Sequence, residues 1–364
     1  MSKLTKLTTI AAVGMMTFGL ASGGASAESL TVVSWGGAYT KSQIRAYHEP
    51  FTAKTGIVIN SDDYNGGLAE IKAQVEAGNV TWDLVDLELS DVVQGCDEGL
   101  LETIDATKLP PAPDGTPAVD DFIEGALHEC AVGTIVWSTI YAFDSTKFPG
   151  KKPSTMADFF DVENFPGKRG MKKSPKPNLE MALMADGVAP EDVYKLLSTK
   201  EGVDRAFAKL DTVKDHMIWW EAGAQPPQML ADGEVAMVTA YNGRIFNAQV
   251  EENKPFVIVW DGQVWDLDLW SIPKGAKNIE NTLKFIAFST DTQRLADQAS
   301  YISYGPVRKS SGPLVSTHAI AGVDMKPHMP TAPANFKRAL QNDFAWWADH
   351  RDELNERFNA WLVK

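Results

Sequence analysis

Apolar and polar positions along this chain follow two rhythms, one of period two and one near 3.6, and the two alternate at short intervals. Leu30–Ser34 (LTVVS) is a compact apolar run of the kind that forms a buried strand. Thr40–Lys54 follows with Ile44, Tyr47 and Phe51 at helical spacing, and Gly56 stops it. Ile57–Asn60 reads as a second strand. Leu68, Ile71 and Val75 mark a second helix ended by Gly78, and Asp83–Leu87 is a third strand. Ser90 then stands where an N-cap belongs, ahead of Val92, Cys96 and Leu100 on one helical face. Strand–helix repeats of this length predict a parallel sheet covered on both faces.

The prolines and glycine of Leu109–Pro117 (LPPAPDGTP) predict a surface loop. Thr134–Phe143 (TIVWSTIYAF) is long and β-like, suited to crossing between lobes. A second α/β region follows, with helices near Thr155–Phe160, Asn178–Asp186, Pro190–Ser198 and Gly202–Asp211 and a strand at Val235–Ala240. Phe256–Trp260 and Val264–Ile272 read as two further strands, the second returning to the first lobe. Ile279, Leu283 and Ile286 describe another helix. The tail from Phe336 to Leu362 is amphipathic, with Leu354, Phe358 and Trp361 on one face and Trp346 and Trp347 as packing residues. The chain length exceeds one comfortable core. The expectation is therefore an α/β protein of two lobes joined by a hinge. Residues 28–138 with about 270–325 form the first lobe, 139–269 the second, and 326–364 a C-terminal helical segment.

The first residues change the picture of where the chain works. Lys3 and Lys6, the apolar run Leu7–Ala21 and the small-x-small Ala25-Ser26-Ala27 have the form of a cleavable secretory signal, so residues 1–27 are expected to be removed before Glu28. The full chain has 34 basic and 48 acidic side chains, net −14; loss of Lys3 and Lys6 leaves 32 against 48, net −16. Such a surface repels nucleic acid and anionic headgroups and favours a soluble monomer. In an oxidising compartment, Cys96 and Cys130 most simply form a disulfide. Closing that loop of about 35 residues stabilises the fold by roughly 3–4 kcal/mol in the chain-entropy model. A redox pair or metal ligands find little support, for there is no C-x-x-C and no histidine adjoining both cysteines in the sequence.

Candidate chemistry collects where strands end, since ligands of open α/β sheets lie beyond the carboxyl ends of the strands. The first strand runs into Trp35-Gly36-Gly37-Ala38-Tyr39, the second into Asp62-Asp63-Tyr64-Asn65-Gly66-Gly67, and the third into Glu88. In Val264–Ile272 alternation puts Asp266, Asp268 and Trp270 on one face. Acids inside an apolar strand are costly to bury unless something cationic pairs with them; the alternative is an exposed edge strand. Aromatics with carboxylates suit an ammonium ligand, each ring face contributing roughly 0.5–2 kcal/mol. Tyr241-Asn242-Gly243-Arg244 ends the Val235–Ala240 strand in the second lobe and faces the same cleft if the lobes clasp. Arg244 suits either a ligand carboxylate or one of the protein's own acids.

At these residues the chain resembles the extracellular solute-binding proteins of the spermidine/putrescine type, from Leu30 to about Pro306. The strongest stretches are Trp82–Asp105, Asp232–Gly243 and Asp268–Pro273. The resemblance implies the type II periplasmic binding-protein fold, closing on its ligand like a hinged clam, with no cofactor and an ABC permease in the inner membrane as partner. It matches Trp35 and Tyr39 to the aromatics after strand one, Tyr241 to the aromatic before Asn-Gly, Asp268 to the amine-binding acid and Tyr304 to the late Tyr-Pro segment. Departures are Asp266 in place of a tryptophan, Glu88 and Ser90 in place of serine and tyrosine, Arg244 in place of a small residue, and Lys172-Lys173-Ser174-Pro175 where a second acidic anchor belongs. The expected ligand is a small amine of the putrescine or spermidine type. The alternative is a zwitterion such as γ-aminobutyrate or an opine-like amino-acid derivative, whose carboxylate Arg244 would hold.

Enzymatic readings fit less well. No G-x-S-x-G elbow and no H-E-x-x-H pair occur in the mature chain. Gly167–Ser174 has the wrong spacing for a phosphate loop. Tyr301 and Tyr304 are not the adjacent pair a ferric-ion carrier would want.

Overall fold

A computed structural model describes residues 28–363. Its eight principal strands are β1 (Ser29–Ser34), β2 (Val58–Asp63), β3 (Leu84–Glu88), β4 (Ala131–Asp144), β5 (Arg169–Lys172), β6 (Met217–Trp220), β7 (Met237–Tyr241) and β8 (Phe256–Ser271). They lie in one sheet in the order β2-β1-β3-β8-β4-β7-β5-β6, with three two-residue strands pairing with β4 or β8. β1 is parallel to β2 and β3, and β5 is parallel to β6 and β7. Between these parallel ends β4 and β8 run antiparallel to each other and to β7 and β3 respectively. The proposed secretory signal and its cleavage point lie outside the described residues.

The two central strands explain why one sheet serves two cores. Every residue of β4 from Ala131 to Phe143 is buried, since both faces are covered. Val136 on β4 and Leu267 on β8 belong to one apolar cluster, with Leu30, Val85, Val92 and Phe285. Tyr141 and Val264, a few residues away on the same two strands, belong to another, with Phe159, Leu183, Phe207 and Phe358. The register between β4 and β8 breaks between Thr139 and Tyr141, where the strands pass from one core to the other.

Several elements differ from expectation. Phe256–Trp260 and Val264–Ile272 are one continuous strand, β8, rather than two. The four-residue strands β5 and β6 were not anticipated. The first helix starts at Gly37 and runs to Thr55, widening to π spacing over Ile44–His48, just before Pro50, whose missing N–H leaves one helical bond unmade. Ser90 does not cap its helix. That helix, Leu89–Asp97, has Glu88 at the N-cap without a side-chain cap bond, and Ser90 Oγ accepts from Lys176 and Arg351 instead. Leu100 is buried in the turn after the helix. In the tail only Phe344–Leu362 forms an α-helix, and it buries Trp346, Trp347, Leu354, Phe358 and Trp361. Among the described residues no helix is long and apolar enough to cross a membrane.

Cys96 and Cys130 are bonded, tying the Leu89–Asp97 helix to the start of β4. Folding brings His128 within 4.8 Å of both sulfurs, although it adjoins only one of the cysteines in sequence. Its Nδ1 accepts from the Cys130 amide at 3.3 Å. Sulfurs joined to each other are not the thiolates a metal requires.

Candidate functional site

Trp35, Tyr39, Glu88, Tyr241, Arg244, Asp268 and Tyr304, widely separated in sequence, surround one small chamber together with Trp137. Trp35 and Tyr39 follow β1, Glu88 ends β3, Tyr241 ends β7, and Asp268 lies on β8. The chamber adjoins a cavity of about 440 Å³, which shares Trp35, Glu88, Trp137 and Tyr241 and is also lined by Lys172, Lys176 and Asp266. In this conformation the chamber itself is nearly closed by its own side chains, at about 10 Å³. Tyr64 does not reach either space. Its hydroxyl donates to the Asp86 carbonyl at 2.6 Å, and its ring backs Trp35 at a centroid distance of 5.0 Å. Gly66 also lies against that indole, where a Cβ would sit 2.6 Å from Trp35 Cη2.

The acids of β8 are buried rather than solvated, because β8 is a central strand: Asp266 is 4% and Asp268 5% exposed. Trp270 turns from the cleft into the first core, against Phe285. Trp137 Nε1 donates to Asp268 Oδ1 at 2.7 Å. Burial, then the charges of Asp86, Glu88 and Asp266, hold the Asp268 carboxyl well above the usual carboxylate range. Tyr39 and Tyr304 meet edge to face at 5.3 Å, and Trp137 and Tyr241 do the same at 5.0 Å, so the acid sits within an aromatic wall.

A second charge cluster stands at the cavity side. Lys176 Nζ donates to Glu88 Oε2 at 2.9 Å, to Asp266 Oδ2 at 3.0 Å and to Ser90 Oγ at 3.0 Å. Burial works against its charge, yet Asp266 and Glu88 hold Lys176 above the usual lysine range. Burial also pulls Glu88 upward, but Lys176 and Lys172 outweigh it and keep that carboxyl low. Asp266 is raised, by burial first, against the pull of Lys176. Arg351 of the tail helix bonds Ser90 and pairs with Asp91, fixing the outer edge of the cluster.

Arg244 crosses from the helix Asn242–Val250 to the loop after β1. Its Nη1 donates to the Gly36 carbonyl at 2.8 Å and Nη2 to the Trp35 carbonyl at 2.7 Å. No carboxylate accepts from it among the described residues, so it does not neutralise a neighbouring acid. Its Nε is buried without an acceptor, as is Trp35 Nε1. Gly223 lies behind it: a Cβ there would come 2.7 Å from Tyr241 Cε2 and 3.0 Å from Arg244 Nε.

Trp137 and Lys176 escaped the sequence reading. Trp137 pairs across the strands with Asp266, a relation that no local pattern in either segment announces. Lys176 had no signal either, since it reaches in from a loop between Pro175 and Pro177.

A sheet with antiparallel strands threading two cores, and a mixed aromatic and charged cleft where the lobes meet, define a two-lobed solute receptor. The chain belongs to the bacterial extracellular solute-binding protein family, whose profile matches residues 46–331. Over 350 residues it is 47% identical to a gamma-aminobutyric acid-binding protein of Pseudomonas aeruginosa, covering 95% of each chain. It is similar in structure to a solved GABA receptor, with TM-score 0.77, 32% identity, and 93% and 98% of the two chains covered. A spermidine/putrescine-binding periplasmic protein of Salmonella typhimurium is 24% identical over 300 residues, 81% of this chain and 82% of that one. The protein is thus the substrate-binding component of an ABC importer, not an enzyme.

Proposed function

We propose that this chain captures a small zwitterionic amine, an ω-amino acid of the γ-aminobutyrate class, in the periplasm and presents it to an inner-membrane permease. One observation carries the reading. The residues around a single chamber include an acid, Asp268, and two side chains, Trp35 and Arg244, whose buried donors have no acceptor. An ammonium on Asp268 within the aromatic wall and a carboxylate on those donors satisfy both ends of such a ligand. Each charge-assisted hydrogen bond contributes about 1.5–3 kcal/mol. The likeness to a gamma-aminobutyric acid-binding protein over nearly the whole chain supports the same choice.

The diamine expected from the sequence is less well supported. The further acids it would use, Glu88 and Asp266, are already bonded to Lys176, and the polyamine-binding relative is more distant. The lobes proposed from the sequence are 28–138 with about 270–325 and 139–269, although Leu267 and Leu269 of β8 pack in the first core. Contacts from both lobes exist only in the closed form, so the ligand shifts the hinge toward closure.

Calorimetric titration of residues 28–364 with γ-aminobutyrate, putrescine, spermidine and an opine tests the reading. Micromolar binding of γ-aminobutyrate, about 8 kcal/mol, with no heat from putrescine is the expected result. Saturation by putrescine and none by γ-aminobutyrate overturns it.

A further inference from the structure

We propose that Lys176 is the specificity-determining residue that excludes diamines, its side chain being a built-in occupant of a second ammonium subsite formed by Glu88, Asp266 and Ser90. The inference rests on the chamber around Asp268 being the ligand site. Glu88 pairs directly with Asp268 across β3 and β8, and Asp266 lies two residues along β8, about 6.5 Å away at strand rise and on the same face. Three acids therefore stand in reach of one short molecule, an arrangement that would bind an ammonium at each end.

Lys176 removes one of those ends. Its three protons meet three acceptors at 2.9–3.0 Å, and its side chain is only 11% exposed, so the geometry is that of a bound primary amine. Glu88 is shared, since it lines both the chamber and the outer cavity. A second ligand ammonium would meet the lysine's charge at close range, or would have to expel it and leave it without partners. A ligand with one ammonium meets neither obstacle. Lys172, 3.9 Å from Glu88, adds positive charge on the same side and reinforces the discrimination.

The position of Lys176 suits this task. The loop between Pro175 and Pro177 fixes the backbone on either side, while Glu88 ends β3 and Asp266 lies within β8. The lysine is thus carried by a different element from the acids, and it can be changed without altering them.

The test compares Lys176→Gln and Lys176→Met with the parent chain by calorimetric titration of putrescine and γ-aminobutyrate, with far-UV circular dichroism confirming the fold. Putrescine binding at least a hundredfold tighter in both variants is expected. Folded variants whose putrescine affinity stays within threefold of the parent overturn the proposal. Should a variant melt below the assay temperature, recovery of its helical signal by putrescine becomes the readout, and absence of recovery overturns it. The two readings fail separately. A parent chain that ignores γ-aminobutyrate, with variants that gain putrescine, sinks the functional reading and leaves the subsite. A parent that binds γ-aminobutyrate, with variants that gain nothing, does the reverse.

Discussion

The Asp268 carboxyl accepts from Trp137 and has Asp86, Glu88 and Asp266 within electrostatic reach. Its raised pKa means that ionisation is unfavourable in the empty protein and becomes favourable when an ammonium arrives. Asp268→Asn keeps the volume and an acceptor for Trp137. It is expected to leave the melting temperature of the empty protein unchanged or slightly higher at neutral pH. It should weaken an amine ligand by tenfold to a hundredfold or more, the loss of a charge-assisted bond of about 1.5–3 kcal/mol. Differential scanning fluorimetry with and without γ-aminobutyrate checks both halves, and an undiminished ligand-induced shift would remove Asp268 from the site. This acid was legible in the sequence because a charge inside an apolar strand demands a partner. Tyr64 was misplaced for a different reason: the strand-end rule locates a loop but not the direction in which a side chain leaves it. Lys176 was invisible, since no periodicity governs a proline-flanked loop.

At the scale of elements, strands and helices with a full apolar face were legible, and short or doubly covered ones were not. β5 and β6 have four residues each, and β5 carries Arg169 and Lys172, so neither presents a strand pattern. The helix Asn178–Ala185 is buried on all sides, Glu180 included. Glu180 Oε1 accepts from Trp347 Nε1 at 2.6 Å and Tyr194 Oη at 3.0 Å, joining that helix to the tail, while Oε2 has no partner. Burial pushes its pKa up to about 7. A folded pKa above the unfolded value favours folding below pH 4.5, and the contribution is lost as pH rises through 7. The whole swing is roughly 3 kcal/mol. Glu180→Gln should therefore gain stability relative to the parent as pH goes from 5 to 8, whatever its offset at pH 5. Urea denaturation at the two pH values measures this, and an offset independent of pH would contradict it.

Over the whole molecule, β4 and β8 carry one sheet through both cores, and the tail helix packs in the second while Arg351 grips the rim of the first. The two-lobed plan could be read from chain length and alternation, but the shared sheet could not, because cross-strand pairing between distant segments leaves no local trace. Arg244 spans the gap by bonding main-chain oxygens, so its grip does not depend on which side chains line the opposite wall. Gly223 is what leaves room for it. A single methyl there presses on Tyr241 and Arg244 together. Gly223→Ala should thus behave as a doorstop, enlarging the radius of gyration of the liganded protein in small-angle scattering and speeding ligand release. An unchanged profile would mean the guanidinium yields without unlatching. The least conspicuous residue of the cleft would then set how long the receptor keeps its cargo.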